Sequence, residues 1–197
     1  SCEKSMEMMR HHFKPGITEQ ELWSRFQMEA VSRGAEWIET RLLASGPRAN
    51  PWYQECSSRP ILSGELMGFD TDLVGSYGYC TDMSRTWLCG DEKPTDEQKE
   101  IYTMGYEQIQ NNMELLKPGT TFKELTVNSK EYSKDEFRHY SVLFHGVGLC
   151  DEFPAIPFSW ELNENSLEGG VQPGMVMCVE TYVGRYSGGP GVKLEEQ

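Results

Sequence analysis

The stretches KPGITEQEL at residues 14–22 and KPGTTFKEL at 117–125 share the pattern K-P-G-x-T-x-x-E-L, and this internal echo constrains the fold more than any other feature of the chain. In each, Lys-Pro-Gly reads as a helix stop, because glycine takes the left-handed backbone conformation that closes a helix without a steric penalty. A Thr-x-x-Glu pair follows at once, Thr18 with Glu21 and Thr121 with Glu124, able to satisfy the free amides of a new helix start. Two helix-stop-helix units about half a chain apart point to an internal duplication.

Around these units, TEQELWSRFQMEAVSRG (18–34) and TDEQKEIYTMGYEQIQNNMELLK (95–117) carry helical punctuation and spacing, with acidic residues early. Strand-like stretches follow each helical pair: WIETRLLA (37–44) and a hairpin over 67–87 in the first half, YSVLFHGVG (140–148) and GMVMCVETYVG (174–184) in the second. The pattern predicts an α+β fold, an antiparallel sheet with helices on one side.

Composition narrows the function classes. The chain has 197 residues, 38% of them apolar, enough for one well-filled core or two packed halves. No apolar run approaches the roughly 20 residues that span a bilayer, and no basic-then-apolar leader precedes the first helical stretch, so a cytoplasmic protein is expected. A formal charge of −13 argues against a nucleic-acid or anionic-membrane partner. The six cysteines lack C-x-x-C spacing, which suggests neither a disulfide framework nor a zinc ribbon. The chain opens inside a helix-like run, SCEKSMEMMRHHF, and stops in strand-like GVKLEEQ. Residues 1–197 therefore read as a single domain belonging to a longer protein.

The chemistry concentrates in MGFDTDLVGSYGYCTDMSRTW, residues 67–87, which sets Asp70, Asp72 and Asp82 in an aromatic-rich hairpin. On a regular strand Asp70 and Asp72 project from one face, and Asp82 returns on the partner strand after a turn near Gly75 or Gly78. Converging carboxylates raise one another's pKa unless a cation neutralises them. The second half supplies His145 before a glycine-flanked turn, Glu180 inside an apolar run, and Glu195 in a similar setting. A buried carboxylate flanked by Met177, Val179 and Val183 again asks for a cation.

The order Asp, Asp, His, Glu, Glu, with G-Y-x-x-D-x-S-R-T, H-G-V-G-L, P-G-M-x-x-x-x-E and G-V-K-L-E, resembles the methionine aminopeptidase, prolidase and creatinase superfamily over essentially the whole chain. The resemblance implies the pita-bread fold, a pseudo-twofold curved antiparallel sheet carrying a two-metal centre, together with a homodimer and a preceding N-terminal domain. It further implies that residues 1–197 are the catalytic domain, lacking that N-terminal domain and a final C-terminal strand.

The departures from that pattern are informative. Peptidases of the superfamily place the first metal aspartate eleven residues before the second, which from Asp82 points to Thr71, flanked here by aspartates. They also carry two histidines that bind substrate and the tetrahedral oxyanion, where this chain offers Trp52 in NPWYQE and Asp151 with Glu152 in LCDEFP. The altered set is similar to the DddP-type dimethylsulfoniopropionate lyases. That resemblance implies Asp70, Asp72, Asp82, His145, Glu180 and Glu195 as ligands of two divalent ions. It also implies Asp151 as the catalytic base and Tyr140 as an aromatic contact for a small zwitterionic sulfonium substrate, a role Trp52 can share. One imidazole with five carboxylates is a hard, oxygen-rich set that suits iron or manganese better than zinc, and the resemblance implies iron first, with manganese or zinc as alternatives. The expected reaction is β-elimination to dimethyl sulfide and acrylate. Two rival expectations are a metal-dependent Xaa-Pro dipeptidase or aminopeptidase and a non-catalytic pita-bread binding module.

Overall fold

A computed structural model describes residues 1–166 and 168–197. Two helices, α1 (Cys2–His12) and α2 (Glu19–Ser32), precede β1 (Trp37–Ile38), β2 (Leu43–Ser45), β3 (Leu66–Asp70), β4 (Leu73–Val74), β5 (Cys80–Thr81) and β6 (Ser84–Leu88). The second half repeats the plan with α3 (Asp96–Met113) and α4 (Phe122–Asn128), then β7 (Phe137–Arg138), β8 (Phe144–Gly146), β9 (Ala155–Ile156), β10 (Met177–Arg185) and β11 (Gly191–Glu196).

The duplicated punctuation behaves as its chemistry dictates. Gly16 and Gly119 have φ of 90° and 93°, both left-handed. Thr18 with Glu21 and Thr121 with Glu124 close reciprocal capping boxes at the starts of α2 and α4. The two units are also held alike: the amides of Gly16 and Gly119 donate to the Ile61 and Val171 carbonyls, each at 2.8 Å. Isolated bridges Thr18–Pro60 and Thr121–Gly170 complete the correspondence. A third box, Thr95 with Gln98, starts α3.

Each helical pair covers its own half of the sheet. Leu22, Trp23, Phe26 and Ala30 give α2 a buried stripe that packs with Met9 of α1 on Leu43, Met67 and Phe69. In the second half Ile101 and Ile109 of α3, with Phe122 and Leu125 of α4, pack on Phe144, Val179, Val192 and Leu194. Gly105 is where α3 faces β10 and β11, a Cβ there lying in van der Waals contact with Val192, Leu194 and Thr181.

The strands form β1-β4-β5, β2-β3-β6 and β11-β10-β8-β9 sheets, with β7 on the far end of β10, and every pairing is antiparallel. The halves meet where β11 lies against β3 and β6. There side chains replace the backbone ladder. Thr86 Oγ1 donates to the Lys193 carbonyl at 2.8 Å and accepts from its amide at 3.0 Å, and Arg85 donates to the Glu195 carbonyl at 2.7 Å.

Several strand expectations are corrected. WIETRLLA is divided into β1 and β2 by residues 39–42, and in YSVLFHGVG the strand is confined to β8, with Leu143 and Val147 adding backbone hydrogen bonds just beyond its ends. Residues 67–74 do not run as one strand: β3 ends at Asp70, and Asp72 turns left-handed at φ 35° before β4. Asp70 and Asp72 therefore converge through a kink rather than through strand alternation. All six cysteines are free. No helix among the described residues is long and apolar enough to cross a membrane.

Candidate metal centre

The six residues singled out from the sequence meet at the junction of the two halves, all buried. Asp70 closes β3, Asp72 occupies the kink, and Asp82 lies between β5 and β6. His145 projects from β8 and Glu180 from β10, while Glu195 stands opposite Glu180 in the β10–β11 register. Asp70, Asp72 and Asp82 offer oxygens within 4.8 Å of one another, and so do Asp70, Glu180 and Glu195. Asp70 belongs to both groups. Thr71, the residue in the peptidase register, is occupied elsewhere: its Oγ1 accepts from the Met83 amide at 2.9 Å.

His145 is aimed by its surroundings. Its Nδ1 lies 3.1 Å from the Gly146 carbonyl, and its Nε2 faces Glu180 Oε1 at 2.9 Å and Glu195 Oε1 at 3.0 Å. An Nδ1–H donated to a carbonyl leaves Nε2 as the metal-binding nitrogen.

Sequence reasoning missed Lys193. Its ammonium, fully buried, sits 2.7 Å from Ser84 Oγ, 2.9 Å from Glu180, 3.1 Å from Glu195 and 3.2 Å from Asp70. The signal was present, because Lys193 and Glu195 are two apart on a strand and so share a face. Cys178 was missed as well; it stands opposite His145 in the β8–β10 register, and burial pushes its thiol up to about 12.

The donor set fits a cation. Five carboxylates are buried against one ammonium, an arrangement expensive in a low-dielectric interior. Asp70 Oδ2 and Glu180 Oε1 are fully buried and lack a well-formed hydrogen bond, facing only the Lys193 ammonium at 3.2 Å and His145 Nε2 at 2.9 Å, so each keeps lone pairs that a cation could take.

Without a metal, protons take up part of this charge. Burial and then the Asp70 charge push Asp72 up to about 7; burial and then Glu180 push Glu195 up to about 8. Asp82 is raised well above the ordinary range by burial, then by Glu195 and Asp70. Burial is the largest single influence on Asp70 and opposes its charge, but the Lys193 ammonium together with hydrogen bonds to Ser84, Asp82 and Lys193 outweighs it and holds that carboxyl low. For His145, burial favours the neutral ring, yet hydrogen bonds to Cys178, Glu180 and Glu195 prevail and raise its pKa.

These directions predict a pH effect on the metal-free protein. A carboxyl whose folded pKa exceeds its unfolded value near 4 binds more protons folded than unfolded, so stability falls as pH rises. Asp72, Asp82 and Glu195 place this fall between about pH 4 and 8, and the raised His145 adds to it above about pH 6.5. Asp70, held low, has completed its contribution above about pH 4 and leaves the slope unchanged. Thermal denaturation of chelated protein across this range should show Tm declining with pH, and metal loading should flatten the decline. A chelated protein whose Tm rises toward pH 8 would contradict this charge balance.

The remaining sequence candidates surround the cluster. Asp151 is half-buried in the loop after β8, its Oδ1 accepting from the Glu152 amide at 3.1 Å. Burial raises its pKa; the nearby His145 opposes that rise, while Glu39 and Asp70 add to it. Tyr140 is buried with the Lys193 Nζ 4.1 Å from its ring centroid. Trp52 is buried against Tyr182, ring centroids 6.1 Å apart, and its indole nitrogen has no partner.

Metallopeptidase family M24 matches residues 1–197. The chain is 43% identical to the dimethylsulfoniopropionate lyase DddP of Roseovarius nubinhibens, over 100% of this chain and 46% of that protein. It is 44% identical to the DddP of Roseobacter denitrificans, over 100% of this chain and 45% of that one. Among solved structures, the prolidase of Pyrococcus horikoshii OT3 superposes with a TM-score of 0.83 at 27% identity, covering 99% of this chain and 55% of that chain. The chain thus spans about half the length of the relatives it matches. A full-length family match, the pita-bread architecture and a buried acidic cluster at its centre agree: the chain belongs to metallopeptidase family M24.

Proposed function

We propose that the intact protein is a metal-dependent lyase that cleaves dimethylsulfoniopropionate to dimethyl sulfide and acrylate. The observation that carries this reading is the aspartate register. Asp70 and Asp72 both reach the cluster, whereas the Thr71 hydroxyl between them is spent on the backbone of Met83. The likeness to DddP lyases along the whole chain supports the same reading.

Asp70, Asp72, Asp82, His145, Glu180 and Glu195 would hold two divalent ions. Their five carboxylates, less the Lys193 ammonium, leave four negative charges, which two divalent cations neutralise when His145 is uncharged. The oxygen-rich donors suit iron or manganese better than zinc, and the likeness to DddP lyases makes iron the first choice. When bound, the ions supply Lewis-acid stabilisation of the negative charge that develops beside the substrate carboxylate.

Asp151 removes the proton from the carbon next to that carboxylate. The released electron pair forms the carbon–carbon double bond as the carbon–sulfur bond breaks, so dimethyl sulfide leaves neutral, acrylate keeps the negative charge, and the proton stays on Asp151. Its raised pKa suits this role, because a carboxylate with an ordinary pKa is a weak base. Tyr140 and Trp52, both buried, would line the aromatic wall behind the sulfonium rather than offer it an open face.

Residues 1–197 act as the catalytic domain of a longer, cytoplasmic homodimer whose N-terminal domain helps to complete the pocket. The test is acrylate formation by the full-length protein, followed by proton NMR with metal content measured in parallel. Activity should vanish on chelation and return with about two ions per chain. Full activity in the chelated protein, or none with two ions bound, would refute the reading.

A second reading, an Xaa-Pro dipeptidase, draws on the structural likeness to prolidase. It must do without the two peptidase histidines, replaced here by Trp52 and by residues of the Asp151–Glu152 segment.

A further inference from the structure

Neither aromatic residue expected from the sequence to meet the substrate has a free face. Tyr140 is 4% exposed and Trp52 6%. Trp52 is wedged between Tyr182 and Gly68, where its ring would lie 3.0 Å from any Cβ. The Tyr140 ring carries the Lys193 ammonium and stacks on Tyr53, centroids 5.2 Å apart and planes 18° from parallel. Tyr53 itself is 54% exposed. It is the outer member of this aromatic stack, and the stack already holds one cation at its inner end.

The fold invests in presenting that ring. Tyr53 has a φ of 70°, left-handed and unfavourable for a bulky residue, so its surroundings must enforce it. The loop that carries it is anchored at both ends. On one side the Tyr182 hydroxyl donates to the Ala49 carbonyl at 2.8 Å, and Asn50 Nδ2 donates to the Arg185 carbonyl at 3.0 Å. On the other, Arg48 donates to the Glu55 carbonyl at 2.8 Å. Beneath it the buried Glu19 accepts from Arg48 and from the amides and hydroxyls of Ser45 and Ser57. Through Tyr140, whose ring carries the Lys193 ammonium at 4.1 Å, Tyr53 stands one ring away from the acidic cluster.

We propose that Tyr53 is a specificity-determining substrate contact whose exposed ring receives the cationic end of the substrate while its carboxylate faces the acidic centre. The identity of that cation as a sulfonium rests on the lyase reading; the aromatic cation site does not. A half-exposed ring attracts a cation through its quadrupole, which persists when the metal ions have neutralised the buried carboxylates.

The test uses the metal-loaded full-length protein and two carboxylates of matched shape, 3-(trimethylammonio)propionate with a cationic end and 4,4-dimethylpentanoate with an uncharged one, with affinities measured by calorimetry. Wild type should bind the cationic compound more tightly. Tyr53→Leu should narrow that preference by about 2- to 30-fold, mainly by weakening the cationic compound, and Tyr53→Phe should keep it. A wild type without preference, a Tyr53→Leu protein that keeps it, or equal weakening for both compounds would overturn the proposal. Dimethyl sulfide release by the same wild-type sample reports separately on the lyase reading, so a cation preference without turnover would sink the reaction and leave the site standing.

Discussion

Replacing Asp151 by asparagine in the metal-loaded full-length protein is expected to reduce dimethyl sulfide release by about 10²- to 10⁴-fold while leaving the ions bound. The substitution keeps the side chain's shape and removes its capacity to accept a proton at carboxylate strength. Metal content should not change, because Asp151 lies on the loop after β8, outside the groups of converging donors. The residual pH profile provides a second reading. Burial raises the Asp151 pKa, so the acid limb of kcat/KM in wild type should lie above the ordinary carboxylate value of about 4, with activity rising as the carboxyl ionises. In Asp151→Asn that limb should disappear. An Asp151→Asn enzyme within a few-fold of wild type would remove this residue from the reaction.

Lys193→Met tests the electrostatic account of the cluster. The fully buried ammonium contacts Asp70, Glu180, Glu195 and Ser84, and methionine replaces its stem without its charge. Removing one partner from a buried ionic group typically costs about 3–5 kcal/mol, because the others stay buried and uncompensated. For a chain of this size that is a fall of about 6–20 °C in Tm, read in the chelated protein near neutral pH. Metal loading should recover much of the loss, since the ions screen the same carboxylates. Equal Tm values for chelated wild type and Lys193→Met would mean that the cluster needs no internal cation.

The divide between what sequence discloses here and what it withholds follows from the range of the interactions involved. The capping boxes at Thr18 and Thr121 and the stop glycines at Gly16 and Gly119 are local chemistry, fixed within a few residues, and they are found where expected. Asp70, Asp72, Asp82, His145, Glu180 and Glu195 stood out because each is polar in an apolar or tightly turned setting, and the fold gathers all six. The manner of gathering was not readable. It depends on Asp72 entering the left-handed region, a conformation no strand pattern signals.

Lys193 was readable in principle from its alternation with Glu195, but lysine in an apolar strand passes for an edge residue until its partners from β3, β6 and β10 are known. Tyr53 was beyond sequence altogether. Its exposure matters only because Trp52 and Tyr140 are covered, and their covering comes from Tyr182 and Lys193, 130 and 53 residues away respectively.

The proposed function requires a peptidase fold with this altered aspartate register to perform elimination rather than hydrolysis. Its most direct test offers the metal-loaded full-length protein dimethylsulfoniopropionate and an Xaa-Pro dipeptide side by side, with headspace gas chromatography for dimethyl sulfide and amino-acid analysis for free proline. Dimethyl sulfide from the first and no proline from the second is the predicted result; proline release without dimethyl sulfide would contradict it.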